Sequence, residues 1–347
     1  MKYPVEQIRD FCEKVWVKAG LSEEDAKACV DVLLAADIRG QRTHGTTHMK
    51  DYCTRMQLGT ARNGDAVEIK KTAEATLTVD ANHAVGMVAG PRVMKACIEQ
   101  AKVSGACFAS VHNACHYGLG AYYPMMAAKE NMIGFSIANT PALVAPLGGA
   151  DPILGTNPIS IAIPSSDKYP DLVLDIATSV TAKGRISLAL KEGESIPLGW
   201  ALDPEGRPTT DPAAANKGVL LPFGAHKGYG LSVIVSVLAG ALSGAAMEVD
   251  LPRFFEEPEK MTNVGWFMGA IDISKFTDVD AFKKRAELIY DALKGCRLSE
   301  GSSAVFIPGE IEAVKTPKVI EEGIDLSEAT LNDFKEMAET FGVEYTF

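Results

Sequence analysis

The chain has 347 residues, 47% of them hydrophobic and 23% charged, and a formal net charge of −11. That composition supports a large buried core with room for two domains. The acidic balance excludes nucleic acid and anionic membrane surfaces as expected partners, because binding phosphate requires clustered Lys and Arg.

From the N-terminus, VEQIRDFCEKVWVKAG places Val5, Ile8, Phe11, Val15 and Ala19 at helical intervals and stops at Gly20. The next segment opens with Ser22 as N-cap, puts Ala26, Cys29, Val30, Leu33 and Leu34 on one face, and ends at Gly40. A polar turn, DIRGQRTHGTTH (37–48), follows, and MKDYCTRMQLG predicts a third helix.

From about residue 75 the pattern changes to strands alternating with helices. ATLTVD, ACFASV, IGFSIAN, ISIAIP, DLVLDIA, WFMGAID and AVFIP are the expected strands. Helices are expected over AGPRVMKACIEQAKVSG and AYYPMMAAKEN, and over the tail EATLNDFKEMAETFG, which is placed back against the N-terminal helices. Residues 228–247 form an uncharged stretch of twenty, the length of a bilayer span. A buried core helix accounts for the same pattern and is the expectation. The pattern predicts an α/β (α+β) fold: a helical domain from both chain ends (1–74 plus 311–347) and a mixed-sheet domain over 75–310.

The cysteines (12, 29, 53, 97, 107, 115 and 296) form no CxxC pair and lie mostly among apolar residues, as reduced buried thiols do. The opening MKYPVEQIRDF has no apolar signal segment, so a cytoplasmic location is expected.

No GxGxxG follows a strand and no Walker A loop is present. The candidate chemistry lies in Gly-rich loops. In PFGAHKGYGLSVIV, glycines 224, 228 and 230 and Lys227 open a helix, an arrangement suited to phosphate. His116 sits in a strand-to-helix loop, whereas His112 reads as structural. Thr156 and Asn157 offer polar bonds to a substrate, and Asp175 near the end of an apolar strand requires a partner. In the opening turn His44 and His48 lie four apart. A zinc site needs three or four ligands, so a histidine that moves protons among hydroxyls fits better than a metal clip.

Together DIRGQRTHG, HYGLGAYY, GGADPILGTNPISIAIP, LDIATSVTAKGRI, IPLGWALDPEGRPTTDP, PFGAHKGYGL and IPGEIE resemble the malate/L-lactate dehydrogenase family, in order and over nearly the whole chain. The resemblance implies a non-Rossmann, NAD(P)-dependent oxidoreductase, NAD before NADP. It also implies a homodimer with sites near the subunit interface, acting on a small 2-hydroxy or 2-oxo acid. It implies His116 and His44 as acid/base residues with Asp175 beside them, and Thr43, His48, Thr156 and Asn157 at the substrate. Cofactor contacts are implied for Gly118, Thr140, Leu174, Asp175, Ile176, Gly224, His226, Lys227, Gly309 and Glu310. Two positions depart from the family pattern: His48 stands where an Arg is usual, and Trp266 where a His is usual. The alternatives are a cyclic imino-acid (C=N) reductase of the same family, a metal-dependent hydrolase or lyase using His44, His48 and Asp175, and a binding protein without turnover.

Overall fold

The computed structural model describes residues 2–347. After β1 (Lys2–Tyr3), helices α1 (Val5–Lys18) and α2 (Glu23–Ile38) pack together through Ile8, Phe11 and Val15 against Cys29, Val30 and Leu33, all buried. Each such side chain contributes roughly 1.5–3 kcal/mol. Ser22 caps α2, its hydroxyl accepting the Asp25 N–H at 3.2 Å. Helix α3 (Met49–Leu58) ends at Gly59, whose φ of 72° a side chain would disfavour.

Strands β2 (Glu68–Ala73) and β3 (Thr76–Asp80) form a hairpin, and α4 (Gly86–Ser104) crosses from β3 to its parallel neighbour β4 (Ala106–Ala114). Helix α5 (Tyr122–Lys129) leads to β5 (Met132–Ala138), β6 (Ile159–Ile163) and β7 (Leu172–Ile176). Next come α6 (Lys183–Glu192), β8 (Ala201–Leu202), β9 (Pro208–Thr209), α7 (Pro212–Lys217) and β10 (Val219–Leu220), whose strands make a three-stranded sheet. Helix α8 (His226–Val235) precedes β11 (Val264–Asp272), and the chain closes with α9 (Val279–Lys294), α10 (Glu310–Glu322), β12 (Ile324–Asp325) and α11 (Glu328–Phe341). The tail returns to the N-terminal helices: Phe334 stacks on Phe11 at 5.0 Å, and Lys50 bonds Asp333 and Glu336.

The main sheet has seven strands in the order β2-β3-β4-β11-β5-β6-β7, mixed as expected. Its register sends the C-terminal ends of β3, β4, β5 and β7 and the N-terminal ends of β6 and β11 to one edge. The loops that carry His116, Thr140 and Thr156 therefore meet there, beside Asp175 near the end of β7.

Three expectations are corrected. AVFIP (304–308) is not a strand; it is tied to the sheet by the Val173 N–H donating to the Pro308 carbonyl at 2.9 Å. Strand β2 has no counterpart among the expected strands, because its residues are all exposed and show no apolar alternation. Residues 228–247 are not a uniform core helix: α8 gives way to a π-helical stretch at Ser236–Ala241. Ser232 and Ser236 face inward, whereas Ile234, Val237 and Leu242 are 54%, 52% and 58% exposed. Among the described residues no helix is long and apolar enough to cross a membrane.

Gly265 lies at the register shift between Val264 and Trp266, where a Cβ would stand 1.7 Å from the Ala239 carbonyl oxygen. Backbone cannot swing aside as a side chain does. Gly265→Ala is expected to destabilise the fold by about 3 kcal/mol, the upper end for overpacking. Urea denaturation measures it, and a loss below about 1 kcal/mol would contradict the contact.

Candidate active site

The polar turn after α2 folds as two successive 3₁₀ turns, Arg42–His44 and Thr46–His48, joined at Gly45. The Asp37 carboxylate fixes it by accepting the Thr46 N–H at 3.0 Å and the Thr46 hydroxyl at 2.7 Å. A Cβ on Gly45 would lie 1.9 Å from Asp37 Oδ1, so this glycine is required by contact. Burial pushes the Asp37 carboxyl up to about 6, against the two Thr46 bonds and the charge of Arg42. His44 then sits with Nδ1 3.0 Å from the Thr43 hydroxyl. His48 has other partners: its Nδ1 is 2.8 Å from Asp51, and its ring stacks on Phe255 at 4.2 Å.

His116, the second histidine expected as an acid/base group, follows β4. Its Nδ1 lies 2.6 Å from the Tyr52 hydroxyl and 3.3 Å from the Gly118 nitrogen. Its ring is 6.0 Å from that of His44, 5.5 Å from Phe254 and 5.2 Å from Phe255. Burial holds the His116 pKa well below the usual imidazole range, helped by the nearby charges of His44, His48 and Arg55. Burial, then His48, lowers His44 to about 4. Both rings are therefore neutral at neutral pH.

A cleft of about 780 Å³ opens at this edge of the sheet. It brings together Thr43, His44, His116, Gly118, Thr140, Thr156 and Asp175 from the expected set. Asp175 has the partners that it needs: the Ser160 hydroxyl donates to it at 2.6 Å and the Ala121 N–H at 3.3 Å. Neither is a histidine. Burial raises its pKa, opposed by those two bonds and by the charge of Arg39. Thr140 and Thr156 are tied together, the Thr156 N–H donating to the Thr140 hydroxyl at 2.9 Å.

The remaining expected residues do not line the cleft. Asn157 is fully buried; its amide donates to Ser232, Ser236 and Glu248, and its oxygen accepts the Thr140 N–H at 3.1 Å. It holds the Thr140 backbone from behind the cleft lining. Leu174 and Ile176 flank Asp175 on β7. Gly224, His226 and Lys227 are outside the cleft wall, but their loop abuts the exit of β7 through the Phe223 N–H bond to the Thr178 carbonyl at 3.0 Å. Gly309 packs on Val173 of β7, and Glu310 pairs with Lys294 and accepts the Ile307 N–H at 2.8 Å. These segments gather around one strand.

Several residues of the cleft are absent from the set expected on sequence: Lys183, Arg185, Arg253, Phe254, Phe255 and Glu256. Burial lowers the Lys183 pKa, and the charge of Arg253 lowers it further. Behind them Arg55 is fully buried and donates to the carbonyls of Phe254, Glu257 and Lys260 at 2.6–3.0 Å. An Arg three residues after Tyr52, on the apolar face of an expected helix, is the available signal. The metal reading finds no ligand set: among the described residues no three His, Cys, Asp or Glu side chains form a metal-binding group.

A model of the malate/L-lactate dehydrogenase family matches residues 3–335. The malate/(S)-sulfolactate dehydrogenase of Methanothermus fervidus is 37% identical, over 99% of this chain and 98% of its own length. The NAD(+) ureidoglycolate dehydrogenase of Escherichia coli K12 is 30% identical over 94% and 93%, and the NADP(+) (2R)-3-sulfolactate dehydrogenase of Chromohalobacter salexigens is 34% identical over 80% and 84%. The solved sulfolactate dehydrogenase of Methanocaldococcus jannaschii superposes with a TM-score of 0.94 at 35% identity, covering 99% of this chain and 98% of that one. The delta1-piperideine-2-carboxylate reductase of Pseudomonas syringae pvar. tomato gives 0.87 at 26% identity, covering 97% and 100%.

The lowered His44 pKa has a consequence for stability. Its folded value of about 4 lies below the ordinary 6.5, so its contribution is present above pH 6.5 and is lost as pH falls towards 4. At pH 5 the loss is about 1–2 kcal/mol, discounted for partial exposure. His44→Asn should therefore lose less stability than the native protein between pH 7 and pH 5 in urea denaturation. Equal losses would contradict a depressed His44.

Proposed function

The chain belongs to the malate/L-lactate dehydrogenase family, and on that premise we propose that it transfers a hydride reversibly between a nicotinamide cofactor and a small 2-hydroxy or 2-oxo acid. The observation that carries this reading is the pair of neutral histidines, His44 and His116, beside one cleft that also holds Lys183, Arg185 and Arg253. Oxidation of a hydroxyl needs a base for its proton, which a neutral histidine offers; in reduction the protonated ring returns that proton to the oxygen, and such acid–base catalysis typically gives ~10²–10⁴-fold in rate. The cations suit the carboxylate of the substrate or the phosphates of the cofactor.

The cleft fits a dinucleotide through the backbone of Gly118 and Gly120, the hydroxyls of Thr140 and Thr156, and those cations. A Cβ on Gly120 would meet the Ser160 hydroxyl at 2.6 Å, so the wall is formed by bare backbone. When bound, the cofactor supplies or accepts the hydride. Asp175 serves the cofactor rather than a histidine, since its bonds go to Ser160 and Ala121. Relatives named for NAD(+) and NADP(+) support either form. A C=N substrate is the second reading, favoured by the structural likeness to a cyclic imino-acid reductase.

The protein works as a homodimer in this reading. The sheet face away from α4 and α5 carries the stacked rings of Phe108 and Phe267, 5.3 Å apart, with Phe135 beside them. Exposed Ile234, Val237 and Leu242 extend the apolar surface for a second copy. The family resemblance supports the same assembly.

A screen of NADH and NADPH oxidation against 2-oxo acids, sulfonated analogues and cyclic imines tests the activity. Turnover of a 2-oxo acid is expected; no turnover with any member would overturn the reading. Lys227→Ala should weaken cofactor binding by about 1–3 kcal/mol, the scale of a charge-assisted hydrogen bond. Fluorescence titration with both cofactors measures it, and unchanged affinities would remove Lys227 from the site.

A further inference from the structure

We propose that Tyr52 is a positioning residue that sets which nitrogen of His116 carries its proton, and that turns its hydroxyl when the ring changes charge. The inference rests on the reading of His116 as an acid/base group. Tyr52 is buried on α3, and its hydroxyl meets His116 Nδ1 at 2.6 Å. The Gly118 N–H approaches the same nitrogen at 3.3 Å. A backbone N–H only donates, so Nδ1 holds a lone pair while that contact is made. Tyr52 then donates as well, and the one proton of the neutral ring resides on Nε2. With Nδ1 taken by Tyr52 and Gly118, Nε2 is the nitrogen left for the cleft.

A ring in this form cannot take a proton on Nε2. To accept the proton of a substrate hydroxyl there, the ring must first change its neutral form, giving the Nε2 proton to water in the open cleft and taking one from water on Nδ1, with no net change of charge. Tyr52 is the partner that permits both states, since a hydroxyl donates or accepts by rotating. In oxidation the substrate proton goes to Nε2, the Nδ1–H donates to the Tyr52 oxygen, and the hydride goes to the nicotinamide. Reduction starts from the doubly protonated ring, whose second proton water supplies on Nδ1; the Nε2 proton goes to the substrate oxygen, the hydride comes from the nicotinamide, and the ring is left neutral with its proton on Nδ1.

The surroundings leave this task to Tyr52. Arg55 and His48 approach from α3 and its entrance, and His44 from the preceding turn; all oppose positive charge on the ring. Phe254 and Phe255 are uncharged, and among the described residues no carboxylate bonds to His116. The Tyr52 oxygen is thus the acceptor available to a protonated Nδ1. Phenylalanine keeps the ring packing and removes that acceptor.

Tyr52→Phe is measured with the best substrate from the cofactor screen. It should lower kcat about tenfold or more, leave cofactor affinity unchanged, and move the histidine limb of the pH–rate profile down by about one unit. A folded variant with kcat within about twofold of native and an unmoved limb overturns the proposal. Independently of any variant, ¹⁵N-histidine NMR of the native protein should show His116 as the Nε2–H form at neutral pH; an Nδ1–H form overturns it too. His116→Ala separates the two inferences: full activity there refutes the role of His116 itself, whereas loss of activity with an unmoved Tyr52→Phe profile refutes only that of Tyr52.

Discussion

The buried guanidinium of Arg55 is the interaction on which the site most depends. Among the described residues it has no carboxylate partner, and three backbone carbonyls and the face of Phe254, 4.0 Å away, take its charge instead. Removing one side of such a buried charged arrangement typically costs about 3–5 kcal/mol. The segment that it grips carries Phe254 and Phe255, whose rings pack against that of His116. That packing adds to the burial that lowers the His116 pKa. Helix α3 and its entrance thus supply an anchor at Arg55, a partner for His116 at Tyr52, and a prop for Phe255 at His48.

The turn that presents His44 depends on a second buried group. Asp37 replaces water as the acceptor for Thr46 and lies against Gly45 so closely that no side chain fits. The spacing from Asp37 to Thr46 is therefore a single device that bends the chain out of α2. Its two hydrogen bonds direct the histidine without a metal.

Much of this is legible in the sequence where local pattern and burial agree. Helices α1, α2 and α11 follow their apolar spacing, and six of the expected strands join the sheet. Helices α9 and α10 are absent from the expected elements; the second buries no residue, whereas the first repeats Phe282, Ala286, Ile289 and Leu293 at helical spacing although Tyr290 is its one buried residue. At the site, the resemblance points to residues that the cleft brings together, but it does not separate Thr140 from Asn157. That distinction depends on Ser232, Ser236 and Glu248, more than seventy positions away. The surroundings of His48 are hidden for the same reason: Phe255, which stacks on it, comes from a distant segment.

The titrations in the His44 turn invert the usual order. An aspartate ordinarily loses its proton before a histidine does, and an ion pair can then form between them. Here burial sets His44 at about 4 and Asp37 at about 6, so between those values both groups are neutral. Asp37 and His44 therefore do not attract each other as opposite charges anywhere in that window. Dissolved salt has little to screen between those two groups; it acts instead on the exposed Arg42–Asp325 pair of the turn, 3.5 Å apart, and on the cationic wall of the cleft.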